Sequence, residues 1–299
     1  MEAPGGELQQ RVARLVGKRP VYWRRTAGGY SQAHRWIVSF EDGSGCFMKG
    51  GASEFTANAI RAEFDKVYSH IDAEFLAGVI AYEDDAYSPL LLLEDLSQGH
   101  WPPPWSAKHV RQILDALSLV HATEPPSALQ AFDREKWLDA ASWRAVGRDP
   151  LPFLSLGLCT ERWLSGALPV LMEAEENAPC DGNSLLHLDV RSDNLCFLGT
   201  RTVLVDWNWA ATGNALLDVA FWLPSLSAEG GPPPEEIVPG QPELASLVCG
   251  YFVSQAGLPA ISEAPGVREL QLAQLRSALP WAIRALGLPR LDGPKAPGE

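Results

Sequence analysis

The chain has 299 residues, 46% of them hydrophobic and 20% charged, and a formal net charge of −13. That is a soluble globular composition with room for one large core or two modest ones. The acidic balance excludes a nucleic-acid binder, which needs a basic face, and disfavours an anionic membrane surface.

The N-terminal "MEAPGGELQQRVARLVGKRP" has no apolar run long enough for a signal peptide. After the Gly28–Gly29 turn, strands are expected near 33–40 and at "CFMK" (46–49), separated by the turn "EDGSG". "SEFTANAIRAEFDKVYSHI" carries Ile60, Phe64, Val67 and Ile71 at helical spacing. "FLAGVIAYEDDAYSPLLLLEDL" reads as a hairpin of two strands. Its "PLLLL" is the longest apolar run and far too short to span a membrane. Residues 1–96 are therefore expected to form a small sheet with one helix.

Beyond the proline-rich 102–104 the pattern turns helical. A helix is expected over "AKHVRQILDALSLVHA", a loop-rich segment over 123–157, and a helix over "TERWLSGALPVLMEAEENA". Two short strands then carry "HLDVRSDN" (187–194) and "VLVDWNWA" (203–210). Helices follow at "NALLDVAFWLPSL", "ELASLVCGYFVSQAG" and "VRELQLAQLRSALPWAIRALGL", and a tail from about 289 is expected to be disordered. The fold class expected is α+β, with a small β-rich lobe at 1–96 and a larger helical lobe at 97–299. The five cysteines are scattered, odd in number and without a C-x-x-C pair, so reduced thiols in a cytoplasmic protein are expected.

The chemistry concentrates in the two polar stretches. Asp189, Asn194 and Asp206 offer hard oxygens, which suit Mg²⁺ sharing its shell with phosphate. A carboxylate left over can take a proton from a substrate hydroxyl. One base and two metal ligands are what phosphoryl transfer needs, because positioning and charge neutralisation dominate that reaction. His187, Asp189 and Asn194 match the H-x-D-x-x-x-x-N order of a kinase catalytic loop. Upstream, Lys49 closes a strand and can neutralise phosphate charge, with Glu63 on the next helix to hold it. By spacing alone the two read as an exposed lysine and an exposed helix glutamate, and the downstream loop tips the balance toward the functional pair. The turn at Gly28, Gly29, Tyr30 and Ser31 can cover phosphates with backbone N–H groups or be an ordinary hairpin turn.

With "AGGYS", "FMK", "RAEF", "LLLLEDL", "HLDVRSDN" and "LVDWNWA…LLDVAFW" in this order, the chain resembles the aminoglycoside phosphotransferase and choline kinase-like enzymes from about Val21 to Leu288. The resemblance implies the two-lobed protein-kinase-like fold and a small-molecule kinase using ATP and Mg²⁺. It implies that Asp189 is the catalytic base, that Asn194 and Asp206 bind Mg²⁺, and that Lys49, paired with Glu63, binds ATP phosphates. The Glu94 carbonyl and the Leu96 N–H would hold adenine. Asp218 would accept backbone hydrogen bonds from the catalytic loop, and His187 would order it. Two positions depart from the family. Leu188 stands where the family often has glycine. Arg191 stands where protein kinases often carry lysine, and either meets the transferred phosphate or pairs with Asp193 or Asp218.

The acceptor is a small molecule bearing a hydroxyl: an aminoglycoside or other antibiotic, as in a resistance enzyme, or a hydroxylated metabolite. Trp207, Trp209, Trp222 and Trp281 are candidates for its site, or core residues. The mixed charge of the C-terminal segment, with Arg284, Arg290 and Lys295, points away from a polycationic acceptor. The alternative from another class is a nucleotide-binding pseudokinase with a regulatory or partner-binding role. Oligomeric state stays open.

Overall fold

A computed structural model describes residues 3–26, 29–85 and 88–292. The first element is a helix absent from the sequence reading, α1 (Gly6–Val16), with Val12 fully buried. Gly17 ends it at φ 69°, where only glycine escapes the Cβ penalty. β1 (Pro20–Arg25), β2 (His34–Phe40) and β3 (Gly45–Gly50) follow as antiparallel neighbours. α2 (Glu54–Glu63) starts on a reciprocal cap, in which the Thr56 N–H donates to Ser53 Oγ and the Ser53 N–H to Thr56 Oγ1. A π-helical turn, Phe64–Tyr68, takes over directly after Glu63, so the helix expected across this stretch changes pitch there. β4 (Val79–Glu83) and β5 (Leu90–Leu93) complete a sheet of order β1-β2-β3-β5-β4.

The pleat of that sheet positions Lys49. Alternation puts Trp36, Val38, Phe40, Cys46, Met48, Leu90 and Leu92 on one face, in a core with Val12 and Trp23. Lys49 therefore points to the opposite face, level with Leu91 of β5.

After α3 (Ala107–Ala122), the stretch expected to be loop-rich holds three short helices, α4 (Arg134–Ala140), α5 (Trp143–Arg148) and α6 (Leu151–Leu154). None is long enough to show an apolar stripe. The first two start on side-chain caps: the Lys136 N–H donates to Asp133 Oδ1 at 3.0 Å and the Ala145 N–H to Ser142 Oγ at 3.1 Å. The chain continues with α7 (Glu161–Glu176), β6 (Ser184–Leu186), the hairpin of β7 (Leu195–Leu198) and β8 (Arg201–Leu204), and β9 (Ala211–Gly213), which pairs with β6. The last helices are α8 (Leu216–Ala228), the short α9 (Pro234–Ile237), α10 (Pro242–Ala256) and α11 (Val267–Ala285).

These elements form two compact units. The first comprises Met1–Pro103, Ala107–Leu129 and Ser192–Ala210. It is wider than the 1–96 segment expected, because His100 and Phe197 exchange backbone hydrogen bonds of 2.9 Å and α3 packs on β8. The second comprises Pro104–Ser106, Gln130–Arg191 and Ala211–Glu299, with Trp143, Phe153, Trp222 and Trp281 fully buried in its core. The tail expected to be disordered from about 289 is tied down as far as Asp292. The Trp163 indole donates to the Pro289 carbonyl at 2.9 Å, and the Thr160 N–H and hydroxyl donate to the Asp292 carboxylate. Residues 293–299 lie outside the described residues. All five cysteines are free and buried. Among the described residues no helix is long and apolar enough to cross a membrane.

Candidate active site

In the first unit, Lys49 at the end of β3 meets two carboxylates. Its Nζ donates to Glu63 Oε2 at 2.6 Å and also to Asp206 Oδ1. The second Glu63 oxygen accepts the Asp206 N–H at 3.2 Å. The Lys49 and Glu63 side chains are 7% and 1% exposed, so this is a desolvated ion pair and not a surface contact. Burial alone would push the Lys49 ammonium down. The Asp206 and Glu63 carboxylates outweigh it and hold the ammonium above its ordinary value. Burial pushes the Glu63 carboxyl up, against the pull of Lys49.

Asp206 itself sits at φ 70°, in the left-handed region that aspartate tolerates better than most residues. Asn194 closes a 3-10 turn, is buried, and accepts the Val205 N–H on its carbonyl at 3.0 Å. That bond joins the two ends of the β7–β8 hairpin, so Asn194 and Asp206 are carried by one rigid element. Glu94 follows β5, and its carboxylate pairs with Arg201 of β8 at 2.8 Å. Leu96 is buried. Ser31 accepts from Arg35 on both its carbonyl (2.9 Å) and its hydroxyl (2.8 Å). Gly29 has φ 72°, in the left-handed region that favours glycine. Gly28 lies outside the described residues.

In the second unit, the fully buried Asp218 in the first turn of α8 accepts the His187 N–H at 3.0 and 3.1 Å and the Leu188 N–H at 2.7 Å. His187 is equally buried, and its Nδ1 accepts the Asp189 N–H at 3.1 Å. The backbone on either side of Asp189 is thus fixed by one carboxylate and one imidazole. The Asp189 carboxylate is ion-paired with Arg191 at 3.3 Å.

The tryptophan candidates divide. Trp207, Trp222 and Trp281 are 0%, 0% and 1% exposed, so they have no surface left to offer an acceptor. Trp207 is further locked by its indole N–H on the Leu204 carbonyl at 2.9 Å. Trp209 is 62% exposed.

The profile of the phosphotransferase enzyme family matches residues 16–241. The chain belongs to that family. Solved structures with the same fold include a spectinomycin phosphotransferase in complex with ADP and spectinomycin. It is 14% identical over 96% of this chain and 100% of its own, with a TM-score of 0.63. A choline/ethanolamine kinase family protein from Mesorhizobium loti is 12% identical over 94% and 97%, with a TM-score of 0.59. An amicoumacin kinase in complex with AMP-PNP, Ca²⁺ and its ligand is 12% identical over 92% of each chain, with a TM-score of 0.55. At these identities the likeness is one of fold, the α+β kinase-like fold with its five-stranded antiparallel sheet. No curated protein sequence matches the chain.

Membership makes one departure intelligible. Leu188, where the family often has glycine, has φ 60°. Holding a non-glycine residue there costs about 1–2 kcal/mol, offset here by the Leu188 N–H bond to Asp218. Leu188→Gly should therefore be more stable than Leu188→Ala by about 1 kcal/mol, the reverse of the order in a helix. Urea unfolding of the two variants checks this, and an alanine variant as stable as the glycine one would remove the strain.

One contributor escaped the sequence reading. Arg201 donates to the Glu74 and Leu76 carbonyls and to the Glu94 carboxylate, fixing the segment before β4 and the one after β5. Its carboxylate partner lies 107 residues away, and nothing local marks it.

Proposed function

We propose that the chain is an ATP- and Mg²⁺-dependent phosphotransferase that moves the γ-phosphate to a hydroxyl of a small molecule. The observation that carries the reading is the buried Lys49–Glu63 pair joined to Asp206. A structural protein gains little from burying one ammonium with two carboxylates, because desolvation costs about as much as the attraction returns. A phosphate-binding lysine needs such a holder.

In this reading Asp189 accepts the proton of the acceptor hydroxyl while the hydroxyl oxygen bonds to the γ-phosphorus, and the bond from the γ-phosphorus to the bridging oxygen breaks to release ADP. His187 and Asp218 keep Asp189 in place. Arg191, paired with Asp189 at rest, is suited to meet charge on the transferred group. Lys49 binds the α- and β-phosphates. The Glu94 carbonyl and the Leu96 N–H bind adenine, and Gly28, Gly29, Tyr30 and Ser31 cover the phosphates.

Asn194 and Asp206 supply an amide and a carboxylate oxygen. That hard pair fits Mg²⁺, which prefers few protein ligands and fills its shell with phosphate and water. When bound, the ion neutralises phosphate charge. The ADP and AMP-PNP complexes of proteins with this fold support a nucleotide as donor.

The test is ATP binding with and without Mg²⁺, together with ADP release in the presence of hydroxylated antibiotics and metabolites. Metal-stimulated, acceptor-dependent ADP release is expected. Tight, metal-independent binding without turnover by any acceptor would instead identify a nucleotide-binding pseudokinase.

A further inference from the structure

The five-stranded sheet brings a second cation to the face that carries Lys49. In the β2–β3 ladder Arg35 stands directly opposite Lys49, and the next pair is Trp36 opposite Met48. Trp36 and Met48 lie in the core on one face of the sheet, so Arg35 and Lys49 share the other face. Side chains directly opposed on antiparallel strands have Cβ atoms about 4.5–5.5 Å apart.

The Arg35 guanidinium is also aimed. Its Nη1 donates to the Ser31 carbonyl at 2.9 Å and its Nη2 to the Ser31 hydroxyl at 2.8 Å. Its central carbon lies 2.8 Å from the position a Cβ on Gly29 would take, so the head group rests against the backbone of that turn. One half-buried side chain thus reaches from the strand beside Lys49 to the Gly29–Ser31 turn. The strand register and the turn contact place this arginine, whatever the nature of its hydrogen-bond partners.

Charge balance gives the cation a task. The Lys49 ammonium is shared by the Glu63 and Asp206 carboxylates, one positive charge against two negative ones. That cluster by itself offers a polyphosphate no net positive charge. Arg35 adds one on the same face, in the planar form that grips two phosphate oxygens at once. A guanidinium has five N–H donors. Two of the Arg35 donors are engaged by Ser31, and the others remain for phosphate.

We infer that Arg35 is a phosphate-binding residue of the nucleotide site. It holds the polyphosphate between the Gly29–Ser31 turn and Lys49, and Ser31 fixes its guanidinium before the nucleotide arrives. The inference rests on Lys49 being the phosphate-binding lysine.

The test is calorimetric titration of the full chain with ATP and Mg²⁺, for the unaltered protein and for three variants. Arg35→Ala should weaken ATP binding about tenfold, the scale of a lost charged hydrogen bond. Arg35→Lys keeps the charge and should recover part of the loss. Arg35→Gln keeps a donor for Ser31 without the charge and should not. A residue that only ties the turn would be replaced by glutamine at least as well as by lysine. A lysine variant that binds ATP no more tightly than the glutamine variant therefore overturns the inference, as does unchanged binding by Arg35→Ala. Both results leave the role of Lys49 intact. Failure of the unaltered chain to bind ATP removes the nucleotide reading and this inference together.

Discussion

Asp189→Asn is expected to lower kcat for phosphoryl transfer by about 10²–10⁴-fold, the range for losing a positioned general base. The change is nearly isosteric and removes only the charge and the basicity. The contacts that place the residue are made by backbone. The Asp189 N–H donates to His187, and Asp218 holds the His187 and Leu188 N–H groups, so the loop keeps its shape. The ion pair with Arg191 is weakened, and its carboxylate side is 26% exposed and therefore partly screened. Binding of ATP, assigned to residues of the first unit, should stay within about twofold, since an interaction made only in the transition state alters kcat and not nucleotide affinity. Single-turnover ADP formation and calorimetric ATP titration measure the two effects separately. A fully active Asp189→Asn enzyme would mean that another group takes the proton.

The other large effect concerns stability as well as activity. Lys49→Ala strands the buried Glu63 carboxylate and leaves Asp206 without its cation. Breaking a buried pair from one side costs about 3–5 kcal/mol, more than the net gain from making it. The loss should depend on pH, with a sign fixed by the direction of the Glu63 shift. Burial already pushes that carboxyl above its ordinary value, and removing the ammonium pushes it further. A carboxyl with a raised folded pKa contributes fully below its unfolded pKa and loses that contribution as pH rises toward the folded value. Lys49→Ala should thus be more destabilised at pH 8 than at pH 5. Adding Glu63→Gln should restore much of the stability and flatten the pH dependence, without restoring transfer. Urea unfolding of the single and double variants at both pH values checks this. An alanine variant as stable as the parent at pH 8 would show that the pair is solvated in solution and remove its role as a preorganised phosphate holder.

Much of this was legible in the chain itself. The H-x-D-x-x-x-x-N order, the lysine closing a strand and the "VDW" after a second strand are local patterns, and local spacing survives folding. Most helices with an apolar stripe were legible for the same reason, but α1 was missed although Leu8, Val12, Leu15 and Val16 repeat at helical spacing. The three short helices between 133 and 154 were not legible, because seven residues or fewer cannot display a stripe, and only the first two carry side-chain caps to announce them.

Other features depended on where the chain returns to itself. Lys49 meets Glu63 across 14 residues and Asp206 across 157, and burial of that cluster turns a plausible contact into a desolvated ion pair. Asp218 reaches back 30 residues to hold the backbone of the loop. The tryptophans at 207, 222 and 281 became core. Residue type and periodicity are written along the chain. Solvent exclusion and long-range hydrogen bonding exist only once distant segments have packed, so only the tertiary structure could decide them.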